Sequence, residues 1–198
     1  DQFKEFASLY ESVTGRNQQM VRDGFTLYEE VDYFFNYLYH DHPDRPSKEY
    51  TKEVRSFSSE EVKQKEVKQE IRRYFKLMSM SYDPEEEQWR LDRRDRIREI
   101  LPFEIQSPKK KEIEEVLDRL HCILSYPINK TRILSANKPQ SIARAWNKLI
   151  EAPSINSQLI KEVIGKIKYF GRSSACELIG WYYPEEYPMI NLNSESGM

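Results

Sequence analysis

Glycine is scarce in this chain. Six glycines in 198 residues supply too few freely rotating backbone positions for a turn-rich all-β protein. Cysteine is nearly absent as well: Cys122 and Cys176 are the only two, each inside an apolar helical pattern. Buried free thiols in a reducing cytoplasm are expected, not a disulfide framework. No apolar run exceeds a few residues, so no segment spans a membrane, and no signal-peptide pattern is visible at the N-terminus. A dominant charge is lacking too. The formal net charge is −2, so any surface for nucleic acid has to be local. There is no phosphate-loop motif, dinucleotide fingerprint or nucleophile elbow, and no cofactor is expected.

What remains is helical. Hydrophobic residues make up 38% and charged residues 32%, within the range of a folded helical protein. Thirteen tyrosines among 13% aromatics argue against disorder. The chain starts at Asp1 and stops in the polar run Asn191–Met198. It reads as a fragment of a longer protein, or as one processed at its start.

Residues 2–14 place Phe3, Phe6, Leu9 and Tyr10 at helical spacing. The stretch Phe25 to Tyr39 is dense in aromatics and reads as a buried helix, broken at Pro43 and Pro46, with a loop over 43–57. Ser58 or Ser59 followed by Glu60 and Glu61 starts a helix to about Met80, with Val62, Val67, Ile71, Phe75 and Met78 on one face. Asp83-Pro84-Glu85-Glu86 starts another, which carries Trp89, Ile97 and Ile100 and stops near Pro102. Ser107-Pro108 opens a helix with Ile113, Val116, Leu117, Leu120 and Leu124 inward, closed by Pro127. After a break at Ser135–Pro139, helices are expected around 139–150, 156–168 and 172–182. The predicted class is all-α. A helical bundle of about five helices over 1–127 would precede a smaller basic domain over 128–198, truncated at its C-terminus.

Charge supports that division. Residues 128–180 hold nine Lys or Arg against three acids, +6 in a chain of −2, which leaves −8 elsewhere. Such asymmetry suggests a phosphate-facing segment, or a solvated Lys-rich surface.

The informative stretch is Ile164–Ile179, IGKIKYFGRSSACELI. A helix with Ile160, Val163, Ile164 and Ile167 inward ends in Lys168-Tyr169-Phe170-Gly171, and a second helix starts at once. Gly171 allows positive φ or close approach to another chain. The free N–H groups and positive dipole end of the second helix suit a phosphate. Ser173 and Ser174 add hydroxyl donors, Lys166, Lys168 and Arg172 add charge, and Tyr169 in the turn is a candidate contact. The small Ala175 lets the helices pack closely.

This segment resembles the helix-hairpin-helix motif of DNA-repair glycosylases, whose pattern runs apolar-x-Gly-apolar-Gly-Arg-x-x-Ala. Phe170-Gly171-Arg172-Ser173-Ser174-Ala175 matches its second half, and Tyr169 stands where the first glycine would be. In that family a Pro-containing turn and a short apolar run lead to the catalytic Asp, twenty residues beyond the second glycine. Here the turn is Tyr182–Pro188, the run is Met189-Ile190, and the catalytic position is Asn191. The lyase Lys of bifunctional members corresponds to Ser173. Base excision needs a carboxylate near the anomeric carbon, and lyase chemistry needs an amine. The resemblance therefore implies DNA binding without catalysis. The stretch is also similar to Gly-x-x-x-Ala-Ser-x-Leu…Pro-x-x-Tyr-Pro segments of domains attached to prokaryotic ATPases of restriction and phage-defence systems, with Gly171, Ala175, Leu178, Pro184, Tyr187 and Pro188 in place and Cys176 where that pattern has Ser.

Other constellations have plainer readings. His40-Asp41-His42 could supply metal ligands, but a helix-end loop is simpler. His121 and Cys122 are neighbours on a helix and point apart. Arg90, Arg93, Arg94, Arg96 and Arg98, interleaved with Asp92, Asp95 and Glu99, read as a salt-bridged exposed helix. Trp146, Trp181, Tyr182 and Tyr183 are core candidates before they are base-stacking ones. The sequence thus points to a non-catalytic DNA-binding module working with other domains or subunits of a larger assembly. The alternatives are an all-helical protein-interaction scaffold with a structural hairpin, and a base-processing enzyme with unconventional groups.

Overall fold

The computed structural model describes residues 2–15, 24–36, 60–81 and 84–189. The expected loop over 43–57, the His40-Asp41-His42 cluster, and Ile190 with Asn191 lie outside these. The described residues form ten helices and no strand, an all-α protein. None of these helices is long and apolar enough to cross a membrane.

The chain divides into two compact units that part between Glu86 and Glu87. The first holds α1 (Gln2–Thr14), α2 (Leu27–Asn36) and α3 (Glu60–Ser81). A reciprocal capping box starts α2: Thr26 N–H donates to Glu29 Oε2 at 2.8 Å, and Glu29 N–H donates to Thr26 Oγ1 at 3.3 Å. This satisfies helix-end amides that would otherwise lack partners. Ala7, Tyr10, Val31, Phe34, Phe35, Ile71 and Tyr74 form the core. Phe34 is its hub, with Phe6 at 5.6 Å, Tyr10 at 5.9 Å and Tyr74 edge-on at 5.4 Å between ring centroids. Offset and edge-on rings add to the burial of so much aromatic surface.

The second unit begins within α4 (Pro84–Ile100). It continues through α5 (Lys110–Leu117), α6 (His121–Leu124), α7 (Pro127–Ala136), α8 (Pro139–Ile150), α9 (Ser157–Ile164) and α10 (Arg172–Tyr182). Trp146 on α8 lies at the centre, fully buried, stacked on Phe103 at 5.9 Å and tilted on Phe170 at 5.4 Å. Ile97, Ile113, Val116, Leu117, Ile142, Leu149, Val163 and Ile167 pack in the same cluster. The boundary read at 127/128 therefore falls inside one core. The change of charge there alters the surface, while the apolar faces on both sides of it meet each other.

The helix expected from Ser107 to Pro127 is interrupted. Leu120 takes an extended conformation (φ −87, ψ 115), and α6 starts anew after it. The reason is long-range. The Glu177 carboxylate, on α10, accepts the N–H groups of His121 and Cys122, the latter at 3.0 Å. It thereby supplies acceptors for the first turn of α6.

The Arg-rich α4 is more than an exposed charged face. Arg96 and Glu99 make the expected i,i+3 pair at 2.9 Å. Arg96 also reaches Glu115 on α5 at 2.8 Å. Arg98 bonds the Tyr182 carbonyl at 2.9 Å and Glu185 at 3.0 Å. Arg90 is buried, with its guanidinium 5.3 Å from the Trp181 ring centroid. Arg93 lies 4.6 Å from the ring of Trp89, which is half exposed. The Arg90 and Arg93 guanidinium groups thus lie over tryptophan rings, while those of Arg96 and Arg98 find carboxylates and a carbonyl.

Candidate nucleic-acid interface

Helix α9 is capped at its start by Asn156, whose side chain accepts the Leu159 N–H at 3.0 Å. It stops earlier than the expected 168, at Ile164, with Gly165 as its C-cap. The chain then turns through 165–170 on the bonds Lys166 N–H to Val163 O and Phe170 N–H to Ile167 O. Ile167 and Phe170 bury their side chains and anchor the turn from below. Lys166, Lys168 and Tyr169 stay exposed.

Positive φ occurs in this turn, but at Tyr169 (φ 67). Gly171 is extended (φ −94, ψ −178) and serves as N-cap of α10. A Cβ added to Gly171 would meet nothing within 4 Å. Of the two roles expected for Gly171, positive φ falls instead on Tyr169, the residue before buried Phe170, while the space beside Gly171 remains open to a close approach.

The turn is held from α7. Asn137, the C-cap of that helix, accepts the Lys168 N–H on its Oδ1 at 2.9 Å. Its Nδ2 donates to the Lys168 carbonyl at 3.0 Å and to the Ile133 carbonyl at 2.7 Å. Arg132, also on α7, places its guanidinium 5.7 Å from the Tyr169 ring centroid. Neither Arg132 nor Asn137 stood among the expected site residues. The only signal was the position of Asn137 before Lys138-Pro139, and nothing local says that α7 lies beside a turn 31 residues on.

Helix α10 has no side-chain cap at its N-terminus, and its Ala175 N–H bonds back to Gly171 O at 3.1 Å. Arg172 and Ser173 are exposed there. Ser174 is not. It is buried, and its Oγ accepts from the Cys122 thiol at 3.1 Å. The hydroxyl expected to donate to a phosphate instead faces the core, because Ser174 and Ala175 lie on the side of α10 packed within the unit. The candidate set thus separates into Lys166, Lys168, Tyr169, Gly171, Arg172 and Ser173 on the surface, with Ser174 inside.

Among the nine cations between 128 and 180, Lys130 and Lys148 are paired with described acids. Lys130 pairs with Asp118 at 2.6 Å, and Lys148 pairs with Glu162. The Lys148 hydrogen bond, then its charge, hold the Glu162 carboxyl below its ordinary range, with a further pull from Lys166. Arg132, Lys138, Arg144, Lys161 and Lys168 are exposed, and none makes a salt bridge to a described residue. The only acids in this stretch besides Glu162 are Glu151 and the buried Glu177.

The residues after α10 are firmly seated. Tyr183 Oη donates to the Ile150 carbonyl at 2.6 Å, and Tyr187 Oη accepts the Ile155 N–H at 3.2 Å. Met189 packs against Gly180, where a Cβ would stand 2.3 Å from Met189 Cγ and 3.1 Å from its Cα and N. Among the described residues, no group of three or more His, Cys, Asp or Glu is placed to hold a metal ion. Comparison with protein-family models, curated proteins and solved structures finds no match to this chain.

Proposed function

We propose that the second unit is a non-catalytic DNA-binding module that grips the phosphate backbone at the α9–α10 hairpin. The observation that carries this reading is the exposed, uncapped first turn of α10 with Lys166, Lys168 and Arg172 around it. Main-chain donors at a helix N-terminus and flexible cations together favour a phosphate oxygen. The left-handed backbone of Tyr169 also supports the likeness to the helix-hairpin-helix motif, since the resembled pattern has glycine at that position. Catalysis is not part of the proposal. Ser173 offers no amine and Asn191 no carboxylate, so incubation with modified-base DNA should release no free base. Such a module would serve as the docking part of a larger assembly of the restriction or phage-defence type that its sequence resembles.

The test is binding to fluorescent duplex DNA at low and moderate salt, with a Lys168→Glu/Arg172→Glu variant alongside. The expected result is salt-sensitive binding that the variant abolishes. No binding at low salt, or binding untouched by the variant, overturns the proposal. One observation favours a second reading, the protein-interaction scaffold. Leu124, Tyr126 and Ile128 are 45%, 66% and 58% exposed in close succession, an apolar strip suited to a protein partner. Such a partner would be held with little dependence on salt.

A further inference from the structure

We infer that Tyr169 and Arg132 form a stacking platform for an unpaired base, so that this hairpin holds a single strand of nucleic acid more tightly than a duplex. The inference rests on the phosphate-gripping reading above and specifies its ligand.

Tyr169 sits where backbone geometry favours glycine. At φ 67 an L side chain is sterically disfavoured. A conformation of that kind persists only when the surroundings impose it. Here they do: Asn137 holds the Lys168 main chain on one side, and buried Phe170 holds the other. The phenol ring gains little burial in return, being 57% exposed. Glycine would satisfy the turn without strain, so the fold does not need the ring. A ligand surface does.

The ring is not isolated. The Arg132 guanidinium lies against it at 5.7 Å. Phenol rings and guanidinium planes are the side-chain surfaces on which nucleobases stack. Ile128, 58% exposed, lies one helical turn from Arg132 on α7 and extends the strip with apolar surface. Exposed Lys166, Lys168 and Arg172 flank Tyr169 in the chain and exposed Lys138 follows Asn137, with no exposed acid among residues 163–184. Aromatic surface interleaved with cations is the arrangement that holds a single strand, by stacking bases while tracking phosphates. In a duplex the faces of the bases are already stacked on one another and offer Tyr169 nothing.

The experiment uses the full chain and a fluorescein-labelled oligothymidylate of ~12 nucleotides, within the span that single-strand sites cover. A duplex of equal length and an oligouridylate are run in parallel. The expected result is that the wild type prefers the single strand. Tyr169→Gly should weaken single-strand binding about five- to tenfold, as loss of one stacked base does, and change duplex binding by less than about twofold. Tyr169→Phe should retain single-strand affinity. Because glycine suits the left-handed turn, Tyr169→Gly should keep or raise Tm, which separates loss of stacking from loss of fold. Tighter binding of the oligouridylate would assign the strand as RNA, and of the oligothymidylate as DNA. Single-strand affinity unchanged in Tyr169→Gly, or a wild-type preference for duplex, overturns the stacking platform. If Lys168→Glu/Arg172→Glu then still abolishes duplex binding, the phosphate grip stands without it. If neither form binds at low salt, both readings fall.

Discussion

Asn137 brackets the main chain of Lys168. Its side-chain amide takes the Lys168 N–H at 2.9 Å and gives an N–H to the Lys168 carbonyl at 3.0 Å. The same device recurs in the core of this unit, where Asn147 accepts the Phe103 N–H at 2.9 Å and donates to its carbonyl at 2.7 Å. In each case a side chain on a helix does for an irregular segment what a neighbouring strand would do.

Replacement of Asn137 should therefore loosen the hairpin without changing its charge. The Asn137 side chain makes three hydrogen bonds, to the Lys168 N–H, the Lys168 carbonyl and the Ile133 carbonyl, which together contribute about 1–3 kcal/mol net. Asn137→Ala should lower stability by about that much and weaken nucleic-acid binding by a few-fold. The salt slope should stay the same, because every cation remains. Titrations at several salt concentrations check this, and a changed slope would contradict it.

Gly180 should resist even a methyl group. In an unobstructed helix interior, glycine to alanine gains about 1 kcal/mol. Here the new Cβ would press on the Met189 side chain at 2.3 Å and on its backbone at 3.1 Å. Overpacking costs about 1–3 kcal/mol, so Gly180→Ala should destabilise the unit. Adding Met189→Ala should recover part of the loss. The check is a double-mutant cycle in urea, with a coupling of about 1 kcal/mol expected.

Cys122 should make stability fall at alkaline pH. Burial pushes its thiol well above the ordinary value of 9.0, and the Glu177 carboxylate adds to the rise. Below that ordinary value the folded and unfolded chains both carry the proton. Above it, the unfolded chain loses the proton while the folded chain keeps it, so the stabilisation is lost as pH rises. The slope from this group can approach ~1.4 kcal/mol per pH unit. Comparing Cys122→Ser with the wild type in urea at about pH 8 and about pH 10 should show the smaller loss in the variant.

Much of the architecture was legible in the chain. The ends of α1 and α3, the start of α8, and the inward positions Ile142, Ala145, Trp146 and Leu149 follow from helical periodicity, which is a local property. A Thr26-x-x-Glu29 capping signal at the start of α2 was also there to be read. The hairpin was found, but its inner workings were not. Periodicity carried α9 on to Lys168 because Ile167 is apolar and correctly spaced, while in the fold it anchors a turn. The two serines of Arg172-Ser173-Ser174 look alike in sequence. Only the packing of α10 against Cys122 turns one of them inward.

By itself, the sequence determined what nearest neighbours along the chain can determine. It set the all-α class, most helices and their apolar faces, the excess of cations after Ile128, and a turn between two helices at Lys168–Gly171. The tertiary structure decided everything that depends on partners distant in the chain. It joined α5 and α6 to the core of Trp146 across the expected boundary. It broke a helix at Leu120 by bringing the Glu177 carboxylate to its amides. It also put the left-handed backbone on Tyr169, because Asn137 and Phe170 fix the chain on either side. Periodicity reports which face of a helix is apolar. It cannot report what that face meets, and the conformations at Leu120 and Tyr169 depend on those meetings.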